Sequence, residues 1–204
     1  MALPATSLLP TTPEAYLDWE EAQLERHEFY RGEVFAMAGG SFRHSQLTAN
    51  ATGELRNALR GSGCQVLSSD MRVLVRANGL YTYPDLSAIC GEPEFETDRE
   101  TTLTNPVLII EVLSDSTESY DRGAKFRLYR EIPSLVEYVL ISQKERAVDV
   151  FRRDARGWLV VEPDADSVEF VSVGATLSLD DLYEGVTVDA AEHPTPGEAS
   201  GERG

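Results

Sequence analysis

One glutamate interrupts an otherwise apolar segment and is the first candidate for chemistry. The segment, residues 107–113, reads VLIIEVL and contains Glu111. A continuous apolar run of this kind is typical of a strand that is covered on both faces. An ionised carboxylate buried there costs several kcal/mol unless it is paired or binds a cation. We therefore predict a metal ligand at Glu111; a carboxylate that reaches water at the strand end, or pairs with an arginine, is the alternative.

An aspartate in a nearby predicted strand is the second candidate. Residues 81–89 read YTYPDLSAI, and Asp85 directly follows Pro84, which cannot donate to a strand ladder. Asp after Pro is also a common turn residue, so Asp85 alone has an ordinary structural explanation. Adjacent strands lie about 4.8 Å apart, however, so Asp85 and Glu111 on one face could share a cation. Oxygen ligands suit Mg²⁺ or Mn²⁺, and the backbone carbonyl of Val112 is a further candidate ligand.

A lysine in the following predicted helix, Lys125, is the third candidate. Leu128, Tyr129 and Ile132 follow it by three, four and seven positions, so it lies on the apolar face of that helix. Its ammonium either extends past the edge of the core to solvent or points at the two carboxylates. In the second case it could stabilise negative charge that develops on a phosphate. Lysine is rare here: the 18 basic residues include only Lys125 and Lys144, which leaves 16 arginines.

The elements that must position these residues alternate between helix and strand. A helix is predicted from Pro13, with Thr12 as N-cap, followed by a hairpin that turns at residues 31–32. Ser41 is predicted to cap a second helix that extends to about residue 60, with an apolar stripe at Leu47, Ala51, Leu55 and Ala58. Strands are predicted at 65–75, 80–89, 107–113, 137–141, 147–151, 158–161 and 168–171, and a helix at 121–130. This order predicts an α/β fold whose mixed sheet carries helices on both faces.

Length and termini indicate one domain with short extensions. The 204 residues suffice for a single core, which we place at residues 13–188. Residues 1–12 are predicted to be a flexible lead, and residues 189–204, which are small, polar and rich in Pro and Gly, a disordered tail.

Charge and cysteine usage restrict the class of protein. A net charge of −17 argues against a general nucleic-acid coat protein, although a nuclease needs only local carboxylates and one basic face. No apolar run approaches the roughly 20 residues of a membrane helix, and the N-terminus lacks the pattern of a secretory signal. Cys64 and Cys90 have no CxxC partner and are predicted to be reduced and structural rather than a disulfide or a zinc site. These features predict a cytoplasmic protein.

Several segments within roughly residues 14–162 together carry a family resemblance. They read YRGEVFAMAG, RHSQL, GCQVLSSDMRV, YPD, NPVLIIEVLSDSTESYDRGAKFRLYREIPSLVEYVLI and VDVFRR. These segments resemble the Uma2 family, which is grouped with the PD-(D/E)xK nuclease superfamily. The resemblance implies a restriction-endonuclease-like fold, in which a mixed central β-sheet is flanked by helices, and a Mg²⁺-type site. Asp85 matches the first acid of the motif and Glu111 the second. Leu113 stands where the superfamily lysine is expected; in Uma2-like sequences that lysine is moved to the next helix, which here implies Lys125.

Two further residues are second-rank candidates. Glu33 follows the predicted hairpin turn in a segment that resembles the GEV of the family, and an exposed hairpin carboxylate is the alternative. His44 precedes Leu47, Ala51 and Leu55 at helical spacing, and a hydrogen-bonded histidine at the edge of the core is the alternative.

Three functions compete for these residues. The first is a Mg²⁺- or Mn²⁺-dependent endonuclease that hydrolyses DNA, acting as a homodimer, with Asp85, Glu111 and Lys125 as catalytic residues. The second is a non-catalytic module that binds nucleic acid or protein on the same fold. The third, a glycosidase with two carboxylates, lacks recognisable aromatic sugar platforms in the sequence. Metal dependence separates them, because the nuclease needs the ion for turnover, the module shows no turnover, and the glycosidase works in chelator.

Overall fold

A computed structural model describes residues 9–188 of the chain. Residues 1–8 of the expected flexible lead, and the whole of the expected disordered tail, lie outside the described residues. Thr12 is the N-cap of the first helix as predicted, because its hydroxyl accepts a hydrogen bond from the amide of Ala15. None of the helices within residues 9–188 is long and apolar enough to cross a membrane.

Short helices and strands alternate along the chain. The helices are α1 (Pro13–Glu20), α2 (Phe42–Ala58), α3 (Glu118–Tyr120), α4 (Phe126–Tyr129) and α5 (Leu179–Leu182), and a π-helical segment, Asp121–Lys125, joins α3 to α4. The strands are β1 (His27–Tyr30), β2 (Glu33–Ala36), β3 (Cys64–Ser68), β4 (Arg72–Val75), β5 (Leu80–Thr82), β6 (Leu86–Cys90), β7 (Thr102–Leu103), β8 (Leu108–Val112), β9 (Glu137–Ile141), β10 (Val148–Asp154), β11 (Gly157–Val161), β12 (Ser167–Phe170) and β13 (Ala175–Ser178).

The strands form two larger sheets and a separate hairpin. One sheet has five strands in the order β2-β1-β5-β4-β7, the other has six in the order β11-β10-β9-β8-β6-β3, and β12 pairs with β13. Both larger sheets are mixed, since β4–β7 and β8–β9 are parallel pairs among antiparallel ones. The predicted mixed α/β architecture is confirmed, although strands expected in one central sheet divide between two.

The six-stranded sheet packs against α2 on one face. Leu47, Ala51 and Leu55 of the predicted stripe are buried there. The fourth predicted member, Ala58, is exposed, and Leu59 is buried instead. The buried stripe therefore consists of Leu47, Ala51, Leu55 and Leu59, which are four positions apart and lie along one side of the helix.

The other face of the six-stranded sheet carries the core that surrounds α4. Ile109 of β8 and Tyr138 of β9 pack there with Tyr129 of α4, and Val73 and Leu80 reach the same cluster from the five-stranded sheet. The two sheets therefore share this core, and β8 contributes to it from the middle of its own sheet.

Two predicted strands are each divided where the chain passes from one sheet to the other. Residues 65–75 form β3 and β4, and residues 80–89 form β5 and β6. Pro84 lies between β5 and β6, where its missing amide hydrogen interrupts no ladder. The chain thus changes sheet immediately before Asp85, which places this residue at the junction of the two sheets.

The two cysteines form a disulfide, so the prediction that they are reduced is wrong. Cys64 in β3 and Cys90 in β6 are direct partners in the antiparallel register, with Cα atoms 4.0 Å apart. The sequence predicted both strands but not their pairing across 26 positions, so the contact between the two sulfurs could not be foreseen.

Candidate active site

Asp85 and Glu111 are brought together by the pairing of β6 with β8. The antiparallel register aligns Leu86 with Ile110, so one step further it sets Asp85 opposite Glu111. Residues directly opposite one another point to the same face of a sheet. Because side chains alternate along a strand, that face is the one that carries Ile109 and the core around α4.

Asp85 is held by the backbone of β8 and by the start of α2. Its Oδ2 accepts a hydrogen bond of 2.8 Å from the amide of Val112 and lies 3.0 Å from Nε2 of His44. Ser41, the predicted N-cap, accepts a hydrogen bond from the His44 amide, which fixes the histidine in the first turn of the helix. The hydrogen bond to Asp85 raises the pKa of His44 above its ordinary value, so the pair favours an imidazolium beside a carboxylate.

Glu111 has hydrogen-bond donors at both of its oxygens. Oε1 accepts a hydrogen bond of 2.9 Å from the hydroxyl of Tyr129 and lies 2.9 Å from Nζ of Lys125. Oε2 accepts a weaker hydrogen bond of 3.3 Å from the amide of Asp85. Burial, reinforced by the charges of Asp85 and Asp121, raises the pKa of Glu111 to about 8 although Lys125 acts to lower it. The site is therefore stabilised by added positive charge, whether a proton or a cation.

Lys125 ends the π-helical segment and is enclosed by carboxylates. Its Nζ lies 2.9 Å from Glu111 Oε1, 3.3 Å from Glu28 Oε1 and 3.6 Å from Asp121 Oδ1. The residue is only 5% exposed, so its ammonium does not extend to solvent, and of the two orientations considered from the sequence it points at the acids. Burial opposes its charged form, but the carboxylates, Glu111 foremost, raise the pKa of Lys125 well above its usual value. It is therefore a charged ammonium at neutral pH.

Two buried acids at this site were missed in the sequence. Glu28 in β1 accepts hydrogen bonds from the hydroxyls of Thr82 and Tyr120, and Asp121 lies one helical turn before Lys125. Burial raises the pKa of Asp121 above its ordinary value. The spacing of Asp121 and Lys125 was a local signal that could have been read. Glu28 gave no comparable signal, because its role depends on where the β1–β2 hairpin packs.

Glu33 is not brought to this group. It lies at the turn end of β2, opposite Tyr30, and is exposed. It does not line the cavity described below. The structure therefore places His44, but not Glu33, next to the three leading candidates.

A cavity of about 570 Å³ opens above these side chains, between the β1–β2 hairpin and the helical stretch from α3 to α4. Among the described residues that line the cavity, the acidic and basic side chains are four carboxylates, one lysine and one histidine: Glu28, Asp85, Glu111, Asp121, Lys125 and His44. Negative charge is in excess even when both basic groups are protonated. Such a floor attracts a cation, and the cavity has the size of an ordinary ligand site.

The donors present fit a small divalent cation held by few side chains. Within residues 9–188, no group of three or more His, Cys, Asp or Glu side chains is arranged to hold a metal ion. Mg²⁺ commonly uses only one or two carboxylates and keeps several waters. The amide of Val112 points to Asp85, and because the N–H and C=O of one strand residue point to the same side, its carbonyl does so too. Asp85, Glu111 and this carbonyl thus offer a set of oxygen donors suited to Mg²⁺ or Mn²⁺.

The fold is shared with a protein of known structure. The crystal structure titled a "putative nuclease belonging to DUF820 from Anabaena variabilis" superposes with a TM-score of 0.66 at 16% identity, covering 81% of this chain and 93% of that one. The chain therefore has the mixed α/β fold of that protein.

The family follows from the sequence comparison. The Uma2 family, described as "Putative restriction endonuclease", matches residues 13–191, so the chain belongs to the Uma2 family. Two relatives from Synechocystis sp. are similar over nearly their whole length. "Uncharacterized protein slr1290" is 38% identical over 187 residues, covering 90% of this chain and 96% of that protein. "Uncharacterized protein sll1609" is 37% identical over 170 residues, covering 83% and 96%.

Proposed function

We propose that this protein is a nuclease that hydrolyses phosphodiester bonds in DNA and requires Mg²⁺ or Mn²⁺. The observation that carries the proposal is the alignment of Asp85 with Glu111 beneath a cavity, with the buried ammonium of Lys125 2.9 Å from Glu111. Family membership supports the reaction class, since nuclease chemistry is what the Uma2 description names.

Asp85, Glu111 and the carbonyl of Val112 would hold the ion. When bound, a divalent ion at such a site lowers the pKa of a coordinated water and offsets charge on the scissile phosphate. The chain supplies the rest of the arrangement. Tyr129 and the Asp85 amide orient the Glu111 carboxylate, and the Val112 amide and His44 orient that of Asp85. Removal of such a hydrogen-bond partner typically changes metal affinity about tenfold to a hundredfold.

Lys125 is the catalytic cation of the proposal. Its ammonium is compact, charged and enclosed, so it can face a phosphate oxygen without being screened by bulk water. Glu28 and Asp121 also contact this ammonium, so two carboxylates would still hold it when Glu111 binds another cation. In this proposal Lys125 takes the role of the motif lysine, because Leu113 occupies the usual place.

The association state is part of the proposal. Two copies would place one site on each strand of a duplex, and a homodimer is what we expect in solution. Sedimentation velocity of the purified chain would distinguish a dimer from a monomer.

The test is calorimetric titration with Mn²⁺ together with nicking of plasmid DNA. Asp85→Ala and Glu111→Ala should each abolish both, while Asp115→Asn, which removes an 89%-exposed acid from the loop that follows β8, should change neither. Unchanged Mn²⁺ affinity in both alanine variants would overturn the metal site. Wild-type protein that binds DNA but does not cleave it would favour a non-catalytic module, and hydrolysis of a glycoside in chelator would favour a glycosidase.

A further inference from the structure

Three aromatic side chains line the same cavity as the carboxylates. They are Tyr30 of β1, Phe35 of β2 and Tyr120 of α3, and the apolar side chains of Met37 and Leu128 lie among them. Phe35 pairs directly with Glu28 in the hairpin register, so an aromatic ring stands on the same face as one of the acids that hold Lys125. The apolar wall and the charged floor therefore belong to one site.

Phe35 is available to a ligand rather than used by the fold. It is 46% exposed although it is a large apolar residue, and it lies on β2, the edge strand of its sheet. Phe29 of β1, which pairs with Val34 and so lies on the other face of the hairpin, is by contrast 2% exposed and packs against Tyr16. A half-exposed ring at the mouth of a ligand-sized cavity has a free face on which a flat group can stack.

The cavity has too little free positive charge to bind DNA mainly through its phosphate backbone. Among the described residues that line it, Lys125 is the only lysine or arginine, and its ammonium is already surrounded by Glu111, Glu28 and Asp121. Proteins that bind duplex DNA through its backbone need several free cations. Stacking of bases on aromatic rings provides affinity without them, and it needs bases that are not paired.

We propose that this cavity accepts an unpaired nucleobase next to the phosphodiester to be cut, so that single-stranded DNA, or a strand opened locally, is the preferred substrate. The proposal rests on the nuclease function above and names the substrate class of that site. The aromatic rings and Met37 contact the base, while the carboxylates and Lys125 lie at the adjoining phosphate. A paired base keeps its faces inside the duplex and cannot make these contacts.

The test is binding of fluorescent oligonucleotides, read by anisotropy in Ca²⁺, with no cleavage required. Wild type should bind a single strand about tenfold or more tightly than the same strand with abasic sites, the loss expected for one stacked base. It should also bind that strand more tightly than the matching duplex. Phe35→Ala should remove the preference for the strand that carries bases. Phe42→Ala, which deletes a 78%-exposed ring outside the cavity, should keep it, and melting curves would check that both variants fold.

Four results of these binding measurements would contradict the proposal. The proposal is overturned if the single strand does not bind, if the duplex or the abasic strand binds as well, if Phe35→Ala behaves like wild type, or if a neutral oligosaccharide displaces the strand. Cleavage in Mn²⁺ is measured separately. Cleavage without base preference would leave the nuclease and remove this inference, while base-dependent binding without any cleavage would remove the nuclease and leave the binding site.

Discussion

The ammonium of Lys125 lies 2.9 Å from Oε1 of Glu111, and both residues are at least 95% buried. As the pH rises through about 8, Glu111 ionises and the two groups form a buried ion pair. Such a pair is costly to break from one side, because the remaining charge stays in the low-dielectric interior. The pair joins the helical stretch to the centre of the six-stranded sheet. It is thus both a structural link and the centre of the candidate active site.

Replacing Lys125 with Met should destabilise the protein as well as inactivate it. Removing the ammonium leaves Glu111, Glu28 and Asp121 facing one another, and the loss of one partner from a buried pair costs about 3–5 kcal/mol. The loss should be larger at pH 9 than at pH 5, because protonated carboxyls repel one another less. Urea unfolding at both pH values is the measurement.

Lys125→Arg is the matched control, since it keeps the charge. It should recover most of the stability but little of the DNA cleavage, because a planar guanidinium does not replace a compact ammonium in an enclosed site. Equal stability of wild type and Lys125→Met at pH 9 would contradict the ion-pair assignment. Full cleavage by folded Lys125→Met protein would contradict the catalytic one.

Glu28 should matter for activity where Glu33, in the same hairpin, does not. Glu28→Gln keeps an oxygen for the Thr82 hydroxyl but removes one of the charges that hold Lys125. We expect cleavage in Mn²⁺ to fall about tenfold or more with a small change in melting temperature. Glu33→Gln alters an exposed carboxylate outside the cavity and should leave cleavage unchanged. If Glu33→Gln lost more cleavage activity than Glu28→Gln, the hairpin would contribute to catalysis through Glu33 instead.

Stability in chelator should fall as the pH rises, because of Glu111. Its pKa is raised from an ordinary 4.5 to about 8 by burial, so the folded state binds a proton that the unfolded state releases. The resulting stabilisation is fully present below about pH 4.5 and is lost as the pH rises through about 8. Glu111→Gln has no such carboxyl to titrate. The difference in the free energy of unfolding between wild type and Glu111→Gln should therefore change by about a few kcal/mol between pH 4.5 and pH 8. Parallel curves from pH 5 to pH 9 would exclude a raised pKa at Glu111.

Reduction of the Cys64–Cys90 disulfide should lower stability without affecting the site directly. The bond closes a loop of 26 positions, and a loop of that length is expected to contribute about 2–4 kcal/mol. Chemical denaturation with and without dithiothreitol measures this contribution. The double variant Cys64→Ser and Cys90→Ser should match reduced wild type and be insensitive to the reductant. A wild type that is equally insensitive would mean that the two sulfurs are not bonded in solution.

Residues whose local context is unusual could be recognised from the sequence. Glu111 was recognisable because a charge inside an apolar strand is costly wherever that strand packs. Lys125 was recognisable because helical spacing shows which side of a helix is apolar. Thr12, the hairpin turn and the strand at residues 137–141 likewise depend on neighbours within a few positions, and all appear in the structure.

Which elements contact one another, by contrast, could not be predicted from local sequence and became known from the fold. Glu28 became part of the site because the β1–β2 hairpin joins a second sheet that faces the carboxylates of the first. Cys64 and Cys90 form a disulfide because β3 and β6 pair in a register that sets them opposite one another. Both outcomes depend on strand pairing between distant segments, which is set by the burial of whole faces and by the position of neighbouring strands. A single sequence records which faces must be buried, but the partner that covers each face is selected by the packing of the complete chain.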